Sequence, residues 1–566
     1  VRSSHHHRNS FYSPVLSGKF SPINMAQCGK FLIYFSIFII TLATLCSCQS
    51  GSVIYKDGLY TFSKGINKRA ASYGTFTDKI ASSGWTYLDV HTNPQDDDFI
   101  TAYAAGYVEG ILTAKYIYMH WKNTVGDYCK QKSIYCQKLK SFIMKNNQWM
   151  ATQIKHRPHS IYWYHINLTL IQQKGLRDGY HKAMPHKPID EFSFLLIELS
   201  GDLESLETAL KDEDTHHVLG SGSCSAFIKV LPDNRDLYFA HDTWTGYQTM
   251  LRIYKYYELN FSMLPKTNVT VPGTRISFSS YPGTILSGDD YYLIGSGLAT
   301  METTNGNSNE KLWKYVTPSS VLEWIRTIIA NRLTSSGNDW VKIFSKYNSG
   351  TYNNQWMILD YKLFAPKRPL NPNTLWVLEQ IPGKIESADV TNVLKKQGYW
   401  ASYNVPYFSS IFNMSGNQEQ AKKYGNWFTH DKCPRALIFK RDQHKVNSME
   451  SLMKLMRYND FKHDPLSRCN CTPPYSAENA ISARSDLNPA DGKYNIGALG
   501  HRCHGGTDSK STNYTMFHSG LKSYAIAGPT HEQQPPFRWS TAKFNMTKPL
   551  GHPDLFNFTR QLVSWD

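Results

Sequence analysis

Cysteine and acidic residues are both scarce in this chain: ten cysteines in 566 residues, and 45 carboxylates against 61 Lys and Arg, a formal charge of +16. An excess of cations raises the question of a polyanionic partner. Nucleic acid is excluded as a good fit, because the cations form no Lys/Arg block and no RNA-binding aromatic signature accompanies them. An anionic membrane surface stays open. Long apolar runs are also few. Residues 31–45 form one, and nothing after them approaches 18 uncharged apolar residues, so no membrane span is expected downstream. Internal repeats and long low-complexity segments are absent, which argues against solenoids and disordered arrays. What is present is core material. The chain is 41% hydrophobic and 14% aromatic, enough for two to four domains or one large body of helices and sheets.

The start of the chain reads as two processed pieces. Residues 1–24 have no hydrophobic period and are expected to be a non-native or untranslated-region-derived extension. Residues 25–48 carry a basic start, the apolar run and the small residues Cys46-Ser47-Cys48, the pattern of a secretory signal peptide. The apolar run is shorter than a comfortable membrane span, so a mature chain starting near Gln49 is expected, without a transmembrane segment. Entry into the secretory pathway gives meaning to the sequons at Asn167, Asn260, Asn268, Asn413, Asn470, Asn513, Asn545 and Asn557. It also favours disulfides. Seven cysteines remain in the mature chain: Cys129, Cys136, Cys224, Cys433, Cys469, Cys471 and Cys503. Cys129 and Cys136 are close enough to staple a local loop, and the last four allow three pairings. If all six pair, the odd one, Cys224, is the free thiol. Cys469-x-Cys471 and His501-Arg502-Cys503-His504 lack the usual ligand spacings, so neither metal nor other cofactor is expected.

Cys224 stands where a thiol can do chemistry. Gly220-Ser221-Gly222-Ser223 leads to it, and Ser225-Ala226-Phe227-Ile228-Lys229-Val230 continues as a strand. A turn over Pro232-Asp233-Asn234-Arg235-Asp236 feeds a second strand ending on His241-Asp242. Other strands are expected at residues 52–55, 85–90, 251–257, 274–279 and 291–294. Helices are expected from Asp96, where Ile100, Ala104, Tyr107 and Ile111 recur at helical spacing, and over residues 189–210, 319–333 and 390–396. Over 189–210 the apolar stripe is Phe192, Leu195, Leu196, Leu199, Leu203, Leu206 and Leu210. Strands flanked by runs of helices indicate an α+β fold with sheets covered by helices.

Several separated motifs occur together: Gly222-Ser223-Cys224-Ser225, His241-Asp242-Thr243-Trp244, Glu302-Thr303-Thr304-Asn305, Trp400-Ala401-Ser402-Tyr403-Asn404-Val405-Pro406-Tyr407, Cys433-Pro434-Arg435-Ala436, Asp464-Pro465-Leu466-Ser467 and Ser482-Ala483-Arg484-Ser485-Asp486-Leu487-Asn488-Pro489. With them the chain resembles, from about residue 53 to its end, the phospholipase B-like family of lysosomal or secreted glycoproteins, which includes the lamina ancestor proteins of insects. The resemblance implies an N-terminal nucleophile hydrolase with a four-layer αββα sandwich, two stacked antiparallel sheets between helical layers. It implies self-cleavage between Ser223 and Cys224, the fragments 49–223 and 224–566 remaining associated as one body. Cys224 would then attack an acyl carbon with its own α-amine as base. By the same resemblance His241 and Trp244 line the nucleophile's pocket with one of Thr303 and Thr304, the latter preferred. Asn404 donates to the oxyanion, Arg435 holds the nucleophile or intermediate, and Asp242 orients its neighbours. The implied substrate is a fatty-acyl phospholipid and the implied destination the lysosome or the extracellular space. An amidase acting on a small or lipid-like amide, and a binding glycoprotein that keeps the fold, are the other readings.

Overall fold

A computed structural model describes residues 47–211, 224–544 and 546–565, all within the compact unit Ser47–Asp566. The expected extension, the leader up to residue 46, Ser223 and the Asn545 sequon lie outside the described residues. Ser47 and Cys48, read above as the end of the leader, open the strand Ser47–Lys56 and pair with Asp78 and Thr77.

Strand formation follows the β-branched and aromatic runs, and an α+β body results. One sheet has 11 strands, from Lys384–Asp389 at one edge to Leu59–Lys64 at the other. The other has 6, in the order Tyr399–Ser402, Ser225–Val230, Leu237–Asp242, Asp508–Asn513, Ser523–Ala527, Gln561–Val563. The smaller sheet is antiparallel throughout. The larger is not, contrary to expectation: Trp85–Thr92 runs parallel to Arg252–Glu258. A parallel pair needs a long crossover, and here helices and the hairpin after Cys224 lie between the two strands. This pair joins sequence before Cys224 to sequence after it within one sheet.

Strand alternation sorts the side chains into three layers of core. Ala226, Ile228 and Phe239 of the smaller sheet meet Tyr291, Leu293, Met301 and Met357 of the larger. On the far side of the larger sheet, Leu88, Val90 and Ile253 pack with Ala104, Val108 and Leu176 from helices. On the far side of the smaller one, Phe227, Tyr238 and Ala240 pack with Ile438, Phe439 and Leu452. The helices Asp98–Leu112 and Ile161–Ala183 approach backbone to backbone, because a methyl group at Gly106 or Gly175 would run into the partner's carbonyl. Buried Glu109 then ties the first of them to the sheet by an ion pair with Lys255 at 2.7 Å.

The helix expected over residues 189–210 is two, Glu191–Glu198 and Ser200–Ala209. At the break, Gly201 lies against the Tyr352 ring, and Asp202 accepts from the Glu323 and Trp324 backbone N–H groups at 3.1 and 3.4 Å. A straight helix cannot meet both constraints. Glu198, just before the break, is buried and accepts from the Ile285 N–H at 3.1 Å. Burial, with Glu109 adding, pushes its carboxyl up to about 8, against the pull of Ile285 and Lys255. The folded state therefore holds a proton that the unfolded chain gives up near 4.5. This contribution is full below pH 4.5 and is lost as pH rises through 8. Thermal unfolding from pH 4.5 to 8.5 is expected to show a smaller decline in Glu198→Gln than in the wild type, and an unchanged slope would remove Glu198 as its source.

Candidate active site

Cys224 immediately precedes the strand Ser225–Val230 and is 3% exposed. Its φ is +88°, a conformation an L-residue with a Cβ adopts only under strain of about 1–3 kcal/mol. What holds it there is Arg435. Cys433 caps the helix Pro434–Asp442 and Pro434 supplies its first turn, which sets Arg435 on a rigid start. The guanidinium Nη1 donates to the Cys224 carbonyl at 2.6 Å and to Ser225 Oγ at 3.3 Å; Nη2 donates to the Tyr403 carbonyl at 2.8 Å and Asn404 Oδ1 at 2.6 Å. Its face stacks on Trp244 at 4.3 Å. Arg435 thus grips Cys224 by its own backbone.

Burial first, then the Glu302 carboxyl, holds the Cys224 thiol well above the ordinary range, with the Trp244 N–H and Lys510 pulling the other way. The thiol is neutral at rest. Glu302 is itself pushed far up by burial and by Asp290, and the Tyr352 hydroxyl lies 2.7 Å from Asp290 Oδ2 and 3.1 Å from Glu302 Oε1. Behind Thr243, Lys510 Nζ reaches Thr243 Oγ1 at 2.5 Å, Asp508 at 2.9 Å and Asp289 at 3.3 Å, and Arg252 pairs with both carboxylates. Four fully buried charges, two of each sign, balance here. Lys510→Met is expected to lower unfolding free energy by about 3–5 kcal/mol, since it strands two carboxylates on one guanidinium. Denaturant unfolding checks this, and a loss under about 1 kcal/mol would contradict it.

One cavity reaches Cys224 and a second adjoins the first. One, of about 260 Å³, is lined by Cys224, Thr243, Trp244, Thr304 and Tyr352 among others. The other, of about 380 Å³, shares Trp244, Thr304 and Tyr352 and adds Asn404, Cys433 and Arg435. Of the two threonines, Thr304 lines both, whereas Thr303 Oγ1 is engaged with Ser402 Oγ at 2.6 Å. Asn404 has φ +67°, a conformation its short amide tolerates, and donates through Nδ2 to the Thr304 carbonyl at 2.7 Å.

His241 and Asp242 line neither cavity, although they pair with Ala226 and Ser225 directly after Cys224. Neighbours on a strand point to opposite faces. His241 turns between the sheets, its Nε2 2.9 Å from the Glu302 carbonyl, and burial, with Lys510, keeps the ring well below its usual pKa and neutral. Asp242 turns the other way, toward Ser482, and burial raises its carboxyl. The cysteine arithmetic is corrected. Cys129–Cys136 is bonded and Cys469–Cys471 is the second pair. Cys433 and Cys503 stay free because they lie in different hydrophobic clusters, so Cys224 is not the one thiol left over. Of the sequon asparagines described, Asn268, Asn413, Asn470 and Asn557 are exposed, Asn167 is half-buried, and the half-buried Asn260 and Asn513 bond through their amides. Among the described residues no group of three or more His, Cys, Asp or Glu is arranged to hold a metal ion, and no helix is long and apolar enough to cross a membrane.

Sequence reasoning missed Tyr352, Asp290, Lys510, Asp508, Asp289 and Arg252. The signal available was weak: Asp289-Asp290 directly before the apolar Tyr291-Tyr292-Leu293-Ile294, and Lys510 among the small residues of a strand.

Comparison with known proteins adds an independent line. A family model described as Phospholipase B matches residues 72–563. A mouse protein named "Putative phospholipase B-like 2" is 49% identical over 537 residues, 93% of this chain and 89% of its own length. The human protein of that name is 48% identical over 536 residues, 93% and 90%. A Dictyostelium discoideum protein, "Phospholipase B-like protein B", is 39% identical over 513 residues, 88% and 86%.

Proposed function

Because this chain belongs to the phospholipase B family, we propose that it is a hydrolase of acyl bonds whose nucleophile is Cys224, freed by self-cleavage after Ser223. One observation carries the reading: a buried cysteine at φ +88°, its carbonyl clamped by Arg435 at 2.6 Å, lines a cavity that adjoins a larger one. Strain on the residue that contributes the scissile nitrogen favours a step that relaxes it. In that step Sγ bonds to the residue 223 carbonyl carbon, the C–N bond breaks, and the nitrogen keeps the thiol proton. Water then hydrolyses the thioester to the Ser223 carboxylate and restores the thiol.

The new α-amine, with an ordinary pKa of roughly 7.7–8.0, supplies the base that the neutral thiol requires. It takes the Sγ proton as sulfur attacks the substrate's acyl carbon. The departing oxygen or nitrogen receives that proton, and water releases the acid from the acyl-enzyme. Asn404 and the hydroxyl of Thr304, which has no partner among the described residues, are the side chains that could stabilise an oxyanion. Two sheets sharing one core, with helices outside each, support the N-terminal nucleophile sandwich. The parallel pair of Trp85–Thr92 with Arg252–Glu258 supports lasting association of the fragments. The leader-like start and four exposed sequons support glycosylation in the secretory pathway, leading to the lysosome or outside the cell.

The relatives' names point to phospholipid esters. An amide substrate is the second reading, favoured by the amide-rich lining of the larger cavity. The test is acyl release from ester and amide substrates sharing one acyl chain, by processed wild type and by Cys224→Ala, with mass spectrometry for an acyl group on the Cys224 fragment. Processed protein that never acquires such an adduct and releases no acid would make this a binding glycoprotein.

A further inference from the structure

The larger cavity is apolar over most of its lining, but that apolar part is aromatic rather than aliphatic. Among the described residues that line it there is no Leu, Ile, Met or Ala; it carries seven amide side chains and six aromatic ones instead. Several of its polar atoms are buried without a partner among the described residues: the side-chain oxygens of Asn305, Asn353 and Gln420, which accept, and Asn305 Nδ2, the Thr304 hydroxyl and the Trp244 indole N–H, which donate. A buried donor or acceptor left unpaired is costly, so an occupant whose groups both give and take hydrogen bonds is favoured over one that does only one or neither. An ionised phosphate diester has only acceptors, and an acyl chain has neither.

Charge points the same way. Arg435 is the one cation among the described lining residues, and its Nη groups already donate to four protein acceptors. Glu204 and Glu310 also line the cavity, as does Glu478, which is paired with Arg502 at 2.9 Å, and the two carboxylates beside it disfavour an anionic headgroup. Trp313 and Trp427 add flat apolar faces beside the amides. Hydroxyls that give and take hydrogen bonds, no net charge and C–H faces for aromatic rings together describe a sugar.

Building on the hydrolase reading above, we propose that this cavity is a subsite for a neutral glycosyl group, so that the acyl bond opened by Cys224 belongs to a sugar-bearing compound. The shared walls Trp244, Thr304 and Tyr352 set the sugar's cavity directly beside the one that Cys224 lines. Sγ bonds to the acyl carbon, the ester C–O bond breaks, the sugar leaves as its alcohol with the thiol's proton, and water releases the acid.

Two esters with the same acyl chain test this: 6-O-octanoylglucose and 1-octanoyl-glycero-3-phosphocholine, assayed for octanoate release by the processed protein. The sugar ester is expected to have a kcat/KM roughly tenfold or more higher, and Trp313→Ala and Asn353→Ala to lose that preference chiefly through KM. Equal or faster hydrolysis of the phosphocholine ester would overturn the glycosyl subsite and leave the acyl hydrolase standing. If neither is hydrolysed, saturation-transfer NMR of wild-type protein with 6-O-octanoylglucose decides separately. Transfer to the sugar protons that Trp313→Ala abolishes supports the subsite while the hydrolase reading fails. Absence of transfer overturns the subsite.

Discussion

Cys224→Ala leaves the chain in one piece and without acyl-hydrolase activity, the largest effect expected of any single change in this molecule. Alanine fits the same buried position, so the fold is retained and the loss is chemical. Only the thiol can form the thioester that opens the chain, and only a freed residue 224 can bring an amine beside its own nucleophile. Cys224→Ser separates the two roles: a hydroxyl is a poorer nucleophile in both steps, so slow cleavage with a much larger loss of turnover is expected. Denaturing electrophoresis over time, beside octanoate release, reads both. An uncut but active wild type, or an alanine variant that is still cut, contradicts the role of Cys224.

Arg435→Ala is the second large effect. It removes the donors to the Cys224 and Tyr403 carbonyls and to Asn404 Oδ1, all in a buried setting, and uncovers the Trp244 face. Each stranded acceptor costs about 1–3 kcal/mol, and partial relaxation brings the sum to about 4–5 kcal/mol. Processing slows as well, because nothing else described holds the Cys224 carbonyl in place. Arg435→Lys distinguishes the fork from the charge. One ammonium cannot reach acceptors on both sides as a planar guanidinium does, so lysine is expected to recover part of the stability and little of the cleavage rate. Chemical denaturation and a processing time course measure the two quantities. A lysine variant that is cut at the wild-type rate would show that charge alone suffices.

These expectations rest on features of unequal visibility in the sequence. The hairpin around Cys224 was legible because Phe227, Ile228, Leu237 and Phe239 sit between turn residues, and local pattern settles such a pair. The break at Leu199 was not, because the leucine spacing of residues 189–210 runs through it without interruption. The break comes from the distant Tyr352 ring and from an N-terminus that Asp202 caps. The opposite fates of His241 and Asp242 follow from strand alternation alone, a signal the motif hides by presenting the two together. Parity of the cysteines misled for a physical reason: an even count can pair only where the fold brings the sulfurs together, and Cys433 and Cys503 lie in different clusters. The balanced cluster of Arg252, Asp289, Asp508 and Lys510 spans segments more than 250 residues apart, from 252 to 510, and no local period encodes such a meeting. Charges of this kind show in sequence only as isolated polar residues in apolar strands.

The central claim is that Cys224 becomes the first residue of a folded, two-fragment hydrolase, and N-terminal sequencing of the purified mature protein tests it most directly. Two sequences in equal amount are expected, one of which begins Cys-Ser-Ala-Phe-Ile-Lys-Val, from fragments that separate only on denaturation. A mature, active protein whose residue 224 is still joined to residue 223, or whose new terminus lies elsewhere, contradicts it.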